Sequence, residues 1–128
     1  QNTNPEWIIV TMHYSMFSAG PHSDEEKILN LRKVYNEAFS ELDVDLVLSG
    51  HDHLYARTYL MKGMKSTGNA SGLKKQGETL YLSGIAFYDG ETEKTPLISA
   101  ITIQGKTLTI KTVRTTDMSV FDEITIRK

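Results

Sequence analysis

Cysteine is absent from this chain, and positive charge is not in excess. The missing cysteine excludes disulfides, thiolate metal ligands and a cysteine nucleophile. There are 14 Lys and Arg against 16 Asp and Glu, and the net charge is −2. Nucleic acid and anionic membranes are bound by clustered Lys and Arg, so neither is an expected partner. No apolar run reaches the roughly 20 residues of a membrane span, and no signal peptide is recognisable.

The 128 residues, 39% of them hydrophobic and 23% charged, suffice for one globular domain with its own core. We therefore treat residues 1–128 as a single domain. The chain starts with Gln1 in place of Met, and its first residues are polar and end in Pro5. We expect this stretch to be a linker and the chain to be part of a longer polypeptide.

The first part of the sequence predicts a strand, a loop and a helix. Residues 7–12 form a short apolar, β-branched run typical of a buried strand, and His13 follows directly. After a loop, Ser23 with Glu26 three residues later matches a capping box and predicts a helix to about residue 41. The predicted apolar stripe of this helix comprises Ile28, Leu31, Tyr35, Ala38 and Leu42, widened by Val34 and Phe39.

A second strand is predicted at residues 46–49, followed by the sequence Gly-His-Asp-His at residues 50–53. The two strands and the helix make a β-loop-α-β unit, whose strands are usually parallel and joined by a right-handed crossover. His13 and His51 would then lie at the carboxyl ends of neighbouring strands, where sites form in α/β sheets. A turn that begins with glycine can direct His51 and His53 at two different ions.

The second half predicts mainly antiparallel β-structure. Strands are expected at residues 58–64, 79–83, 97–104, 107–114 and 122–127, with a turn at 88–91. The strands at 97–104 and 107–114 alternate well and are joined around Gly105, which predicts a hairpin. Residues 65–77 indicate a polar loop, long enough to be a binding loop. The fold class is α/β by its first unit, and α+β by content.

Three histidines carry the main functional hypothesis: His13, His51 and His53. Each could be an ordinary histidine at a strand end. Two histidines that flank an aspartate after glycine, with a third after a neighbouring strand, favour a metal site over that alternative. Histidines combined with oxygen ligands suit Zn, Fe or Mn rather than a metal selected by thiolates.

Four further residues give weaker signals. His22 is either a plain loop histidine or a phosphate contact and proton donor, because the helix N-terminus behind it favours anions. Asp52 is expected to support the turn through local hydrogen bonds. Tyr55 and Arg57 are either strand-edge residues or, in the case of Arg57, the partner of a carboxylate that holds the motif loop.

The motif at residues 50–53, with the apolar strand before it and Tyr55 and Arg57 after it, resembles the last motif of the calcineurin-like metallophosphoesterases. It is most similar to the version in purple acid phosphatases, which has Tyr-Glu-Arg where this chain has Ala56 in the middle. Residues 7–13 resemble the preceding metal-ligand motif of the same family. The proline that usually stands two residues after the first histidine is replaced here by a serine.

The resemblance implies a centre of two metal ions, drawn from Fe, Zn and Mn. His13 and His51 would bind one ion and His53 the other. His22, in the place of a substrate-facing histidine, would bind the phosphoryl group or protonate the leaving oxygen. A hydroxide that bridges the ions would attack a phosphomonoester in line, leaving phosphate and an alcohol or phenol. The resemblance also implies that Asp52, Tyr55 and Arg57 do not bind the ions but support the residues that do.

The family's upstream motifs are missing, because the chain contains no Asp-x-His, Gly-Asp-x-x-Asp or Gly-Asn-His. The resemblance therefore implies the C-terminal half of a catalytic domain, that is, half of a two-sheet sandwich whose partner is the missing N-terminal half. The fragment alone is expected to be inactive and to bind ions weakly or not at all, because half a site lacks its full ligand set.

Two alternatives stay open. Within the family, the substrate could be a diester, a cyclic nucleotide or a nucleotide, with residues 65–77 lining its pocket. In a different class, the chain is a non-catalytic binding or structural module. Loss of half a domain should uncover apolar surface on the strands at 7–12 and 46–49, which predicts a symmetric homodimer. Bacterial members of the family are often exported, which implies an extracellular or cell-envelope location and leaves the cytoplasm open.

Overall fold

The computed structural model describes residues 4–18, 22–84 and 96–128. In these ranges the chain forms one α-helix and ten strands. Their bounds are β1 Ile9–Tyr14, α1 Glu26–Glu41, β2 Leu46–Gly50, β3 Ala56–Arg57, β4 Met61–Lys62, β5 Lys65–Ser66, β6 Gly72–Leu73, β7 Glu78–Ser83, β8 Leu97–Gln104, β9 Thr107–Arg114 and β10 Val120–Arg127. The turn predicted at residues 88–91 lies outside the described ranges.

The strands form two sheets. The first has the order β1-β2-β7-β4-β5, with β3 also paired to β7, and the second has the order β6-β10-β9-β8. β1 and β2 are parallel, with Ile9 opposite Leu46, and β2 and β7 are also parallel. The parallel β-loop-α-β unit and the hairpin of β8 and β9 are therefore confirmed. The mixed α/β content agrees with the predicted fold class.

The two faces of the first sheet have different partners because side chains alternate along each strand. Leu46 of β2 and its neighbours on one face meet the second sheet in a common core. The buried residues of that core are Leu46, Leu60, Leu80, Leu82, Leu108, Ile110, Ile124 and Ile126. Val47 and Tyr81 point the other way, into a cluster that Leu31 and Phe39 of α1 cover. Each fully buried Leu or Ile stabilises the fold by about 2 kcal/mol.

The start of α1 differs from the prediction. Glu25, not Ser23, is the N-cap, and its side chain makes no capping hydrogen bond. The predicted capping box of Ser23 and Glu26 is wrong because the helix begins later, which makes Glu26 its first residue instead of its third. The Ser23 carbonyl accepts a hydrogen bond from Arg32, and the Glu25 carboxylate contacts His22 and Lys27.

The buried face of α1 is also rotated from the predicted stripe. Ile28 and Asn36 are the buried residues of the helix, and Asn36 Nδ2 donates to the Gly63 carbonyl at 3.3 Å. Val34, Tyr35 and Leu42 are 62%, 41% and 67% exposed, although apolar spacing placed them in the core. Asn36 thus faces the turn after β4, a position that apolar spacing assigns to a hydrophobic residue.

The two strands that were expected to be uncovered differ in the structure. β2 is not uncovered, because it lies between β1 and β7, and Leu46 and Val47 are 0% and 1% exposed. β1 is an edge strand of its sheet, and Ile9 is 38% exposed. Of the strand predicted at residues 58–64, the structure forms the short β4, and β3 ends before that range begins.

The stretch at residues 65–77 carries β5 and β6 and runs away from the histidines. Lys74 pairs with Asp43 and Asp45, which precede the amino end of β2. Gly77 lies against Ser40, near the end of α1. This stretch therefore does not line a pocket at the carboxyl end of β2. Among the described residues, no helix is long and apolar enough to span a membrane.

Candidate functional site

His13 and His51 meet at the carboxyl ends of β1 and β2. The parallel pairing brings these ends side by side, and a register shift between Met12 and Tyr14 accompanies the approach. The His51 Nδ1 and His13 Nε2 atoms are 3.2 Å apart, and the two rings are 5.1 Å apart between centroids. The sequence spacing placed these two histidines together, and the structure shows the contact.

His22 joins this pair from the loop before α1. Its ring lies 4.8 Å from the ring of His51 between centroids, and its Nδ1 contacts the Glu25 carboxylate. Tyr14 closes another side, with its ring 4.7 Å from that of His51. We call His13, Tyr14, His22 and His51 the histidine cluster.

The turn that carries His51 has an unusual backbone. His51 has φ +71°, in the left-handed region that few non-glycine residues adopt. The Asp52 amide donates to the Gly50 carbonyl at 2.9 Å, and the Asp52 side chain is buried. Behind the turn, Gly84 is so close to Leu54 that an added Cβ would lie 2.0 Å from its carbonyl oxygen. The residues that follow the turn therefore pack closely against Gly84.

Tyr55 and Arg57, which follow the turn, are tied to the other sheet. The Tyr55 hydroxyl donates to Asp122 Oδ2 at 2.7 Å, and Arg57 Nε and NH2 donate to the two oxygens of the same carboxylate. Burial and the hydrogen bond to Asp122 raise the pKa of Tyr55 to about 12. Arg57 thus has the carboxylate partner that the sequence left open, and Asp122 in β10 is that partner.

His53 has an exposed side chain. The ring contacts within the histidine cluster join His51 to His13, Tyr14 and His22. In residues 4–18, 22–84 and 96–128, no group of three or more His, Asp or Glu has the arrangement of a complete metal site. The assignment of His53 to a second ion stays a prediction.

Lys27 gives the cluster a positive charge that the sequence did not single out. Its Nζ lies 4.6 Å from the centroid of the Tyr14 ring and 3.0 Å from Glu25 Oε2. The pKa of His51 is lowered below its usual 6.5, first by desolvation and then by the charges of His22 and Lys27. A lowered pKa favours the neutral imidazole, which is the form that binds metal ions.

Sequence reasoning missed Tyr14, Glu25, Lys27 and Asp122. Glu25 and Lys27 had a usable signal, since they follow His22 by three and five residues in the chain. Tyr14 adjoins His13 in the chain and could also have been considered. Asp122 had no usable signal in the sequence, because it is 65 residues from Arg57.

The cluster fits part of a metal site. Two nitrogens bound to one ion at about 2.1 Å each lie roughly 3.0 to 3.4 Å apart, which includes the spacing of His13 and His51. The remaining ring nitrogen of His51, Nε2, is buried with no hydrogen-bond partner in the described part of the chain, and so is Asp52 Oδ1. Buried polar atoms without partners mark places where a further group fits.

No family model matches the chain. Uncharacterized proteins from two strains of Mycobacterium tuberculosis are 31% identical to it over 62 residues, which are 48% of this chain and 12% of theirs. The purple acid phosphatase PPD1 from yellow lupin (Lupinus luteus) seeds superimposes with a TM-score of 0.68 at 18% identity. The superposition covers 94% of this chain and 25% of the lupin chain. The fold is similar to that of a purple acid phosphatase. This chain therefore spans about a quarter of the length of the lupin protein. It matches about an eighth of the length of the mycobacterial relatives.

Proposed function

We propose that this chain contributes the histidine side of a two-metal centre in a phosphomonoesterase of the purple acid phosphatase type. The observation that carries the proposal is the convergence of His13, His22 and His51 at the carboxyl ends of two parallel strands. The lupin protein is a phosphatase of this fold. His13 and His51 would hold one ion, and His53 the other.

The bound ions, of Fe, Zn or Mn, would supply a nucleophile at neutral pH and neutralise the phosphate oxygens. This chain's own residues perform the remaining tasks. His51, kept neutral by its surroundings, serves as a ligand. Since His22 Nδ1 faces Glu25, its Nε2 is the nitrogen left to donate a proton to the leaving oxygen. Phosphate and an alcohol or phenol would result.

The carboxylate ligands of such a centre would come from another segment of polypeptide. None of the described acidic residues joins His13 and His51 in a complete ligand set. We propose that an N-terminal half of the same domain supplies them, and that the 128-residue chain alone has no appreciable phosphatase activity. A non-catalytic binding role is the alternative for the chain by itself. A diester or nucleotide substrate has no support from residues 65–77, which lie away from the histidine cluster.

The test is a Zn²⁺ titration followed through the imidazole ¹H–¹⁵N signals, which are few because the chain has 4 histidines. We expect the signals of His13 and His51 to change together at the same Zn²⁺ concentration, and His51→Ala to abolish the response of His13. His53→Ala is the control and should leave that response intact. A response of His13 that persists in His51→Ala contradicts a shared ion.

A second measurement concerns activity. Hydrolysis of p-nitrophenyl phosphate by the 128-residue chain with Zn²⁺, Mn²⁺ or Fe³⁺ should stay at the level of the metal alone. Metal-dependent turnover that His51→Ala removes would show that the chain carries a complete centre, and the proposal of a half site would be wrong.

A further inference from the structure

The side chain of Arg32 in α1 contacts the backbone on both sides of His22. Its Nε donates to the carbonyl of Met16, just after β1, and its NH2 donates to the carbonyl of Ser23 at 3.0 Å. Ser23 is the residue that follows His22 in the chain. One guanidinium therefore links a carbonyl that precedes His22 to the carbonyl directly after it.

The Met16 end of this link is fixed in the core. Met16 and Ser15 are both buried, and the Ser15 hydroxyl donates to the Phe17 carbonyl at 2.8 Å. The ring of Phe17 packs edge-on against that of Tyr81 in β7, with 4.7 Å between their centroids. These residues therefore form a rigid base for the contacts of Arg32.

Arginine has the shape that this link needs. The guanidinium carbon of Arg32 lies 5.2 Å from the centroid of the Phe17 ring, so the group rests on the rigid base while it donates to the two carbonyls. A planar guanidinium presents several donors in fixed directions, whereas lysine offers one ammonium on a flexible stem. A lysine at this position would not hold both carbonyls in the same geometry.

Two different contacts then determine where the His22 ring lies. The Glu25 carboxylate contacts Nδ1 of the ring and so sets its orientation. The contacts of Arg32 set the position of the backbone beside His22 relative to the end of β1. Together they place the ring 4.8 Å from that of His51 between centroids.

We infer that Arg32 is a positioning residue for His22, because it ties the backbone beside His22 to the rigid base after β1. Arg32 acts through the backbone and transfers no proton itself. The inference rests on the proposed function, which gives His22 the task of proton donor. Without Arg32, the donor nitrogen of His22 would no longer be held at the histidine cluster.

The test measures nuclear Overhauser effects between imidazole rings in the 128-residue chain. In the wild type, the His51 ring should show contacts with the rings of both His13 and His22, whose centroids lie 5.1 Å and 4.8 Å away. Arg32→Met keeps an apolar stem and removes the donors. It should lose the contact of His51 with His22 and keep the contact with His13, which is an internal control for the fold.

Two further variants separate the link from the charge. Lys33→Met is the matched control, because it removes the same charge from an exposed position of the same helix, and both ring contacts should persist. Arg32→Lys keeps the charge and should still lose the contact between His22 and His51. If Arg32→Met does not fold, the result for Arg32→Lys decides.

The outcomes distinguish the inference from the proposed function. A contact between His22 and His51 that is absent from the wild type, or that persists at full strength in either Arg32 variant, overturns the inference alone. Loss of both ring contacts in a folded variant also overturns it, because Arg32 would then support the whole site. Arg32→Met should retain the joint response of His13 and His51 to Zn²⁺. Absence of that response from the wild type overturns the proposed function, whatever the ring contacts show.

Discussion

The guanidinium of Arg57, just after the histidine motif, is paired with the carboxylate of Asp122 in the other sheet, with Nε and Oδ2 2.5 Å apart. Both side chains are about one fifth exposed, at 19% and 22%. Tyr55 donates to the same carboxylate. The pair therefore links the strand that follows His51 to β10, and its loss should affect both stability and the turn.

Asp122→Ala should lower the free energy of unfolding by about 2 to 3 kcal/mol, because it leaves the Arg57 charge and the Tyr55 hydroxyl without their shared acceptor. Urea denaturation monitored by circular dichroism measures the change. The neighbouring exposed residue provides the control, and Glu123→Gln should change stability by about 0.5 kcal/mol or less. Equal losses in the two variants would show that the pair makes no net contribution.

The pH dependence of stability follows from the same carboxylate. Burial opposes the charge of Asp122, but the hydrogen bonds from Arg57 and Tyr55 outweigh it and lower its pKa below 3.8. A lowered pKa means that the stabilisation is present above the unfolded pKa and is lost as pH falls through the folded one. Between about pH 5 and pH 2, the wild type should therefore lose more stability than Asp122→Asn. Parallel acid profiles would contradict this assignment.

Gly84→Ala should destabilise the fold by more than about 3 kcal/mol, because the new Cβ would overlap the Leu54 carbonyl. Gly105→Ala is the matched control. Both glycines have positive φ, +66° and +56°, but the Cβ at Gly105 would meet nothing within 4 Å. Its cost should be about 1 kcal/mol, from the left-handed backbone alone. Thermal melting of both variants measures the difference, and similar melting temperatures would show that the backbone near Leu54 yields easily.

Lys74 should be essential, and Lys75 beside it should not. The Lys74 ammonium is buried, 2.7 Å from Asp43 and 2.9 Å from Asp45, and Asp45 is fully buried. Lys74→Met should lower the free energy of unfolding by about 3 to 5 kcal/mol, because it breaks a buried charge pair. Lys75→Met, on an exposed side chain, should change it by about 0.5 kcal/mol or less. Urea denaturation of the two variants measures both changes in the free energy of unfolding. A small effect of Lys74→Met would show that Lys128 alone neutralises Asp45.

We propose that the chain self-associates through the edge of β1, where backbone groups and Ile9 are available for pairing. Sedimentation equilibrium at high micromolar concentration should show a dimer, and Ile9→Lys should shift it to monomer. Ile103→Lys, on the edge strand of the other sheet, should leave the dimer intact. A wild-type chain that stays monomeric at these concentrations would contradict the proposal.

The histidine arrangement shows where sequence reasoning works. His13 and His51 each follow an apolar run, and the two strands of a β-loop-α-β unit are usually parallel neighbours, so their meeting at the carboxyl ends of those strands could be predicted. The β8–β9 hairpin was equally accessible, because its alternation and Gly105 are local signals. The buried face of α1 was not, since apolar spacing favoured Val34 and Leu42 over Asn36. Asn36 contacts Gly63, which is 27 residues away, and a helical pattern cannot reveal such a contact.

The sequence by itself therefore determined the helix and the longer strands in their order, the parallel pairing of β1 and β2 and the position of the histidine motif, because periodicity and turn residues act over a few neighbours. Only the tertiary structure decided that Asp122 holds Arg57, that Lys74 neutralises Asp43 and Asp45, and that Lys27 and Tyr14 border the histidine cluster. These contacts join residues from different elements, up to 65 positions apart in the Asp122 pair. They form because two sheets and one helix bury their apolar faces together, which brings distant polar groups into contact.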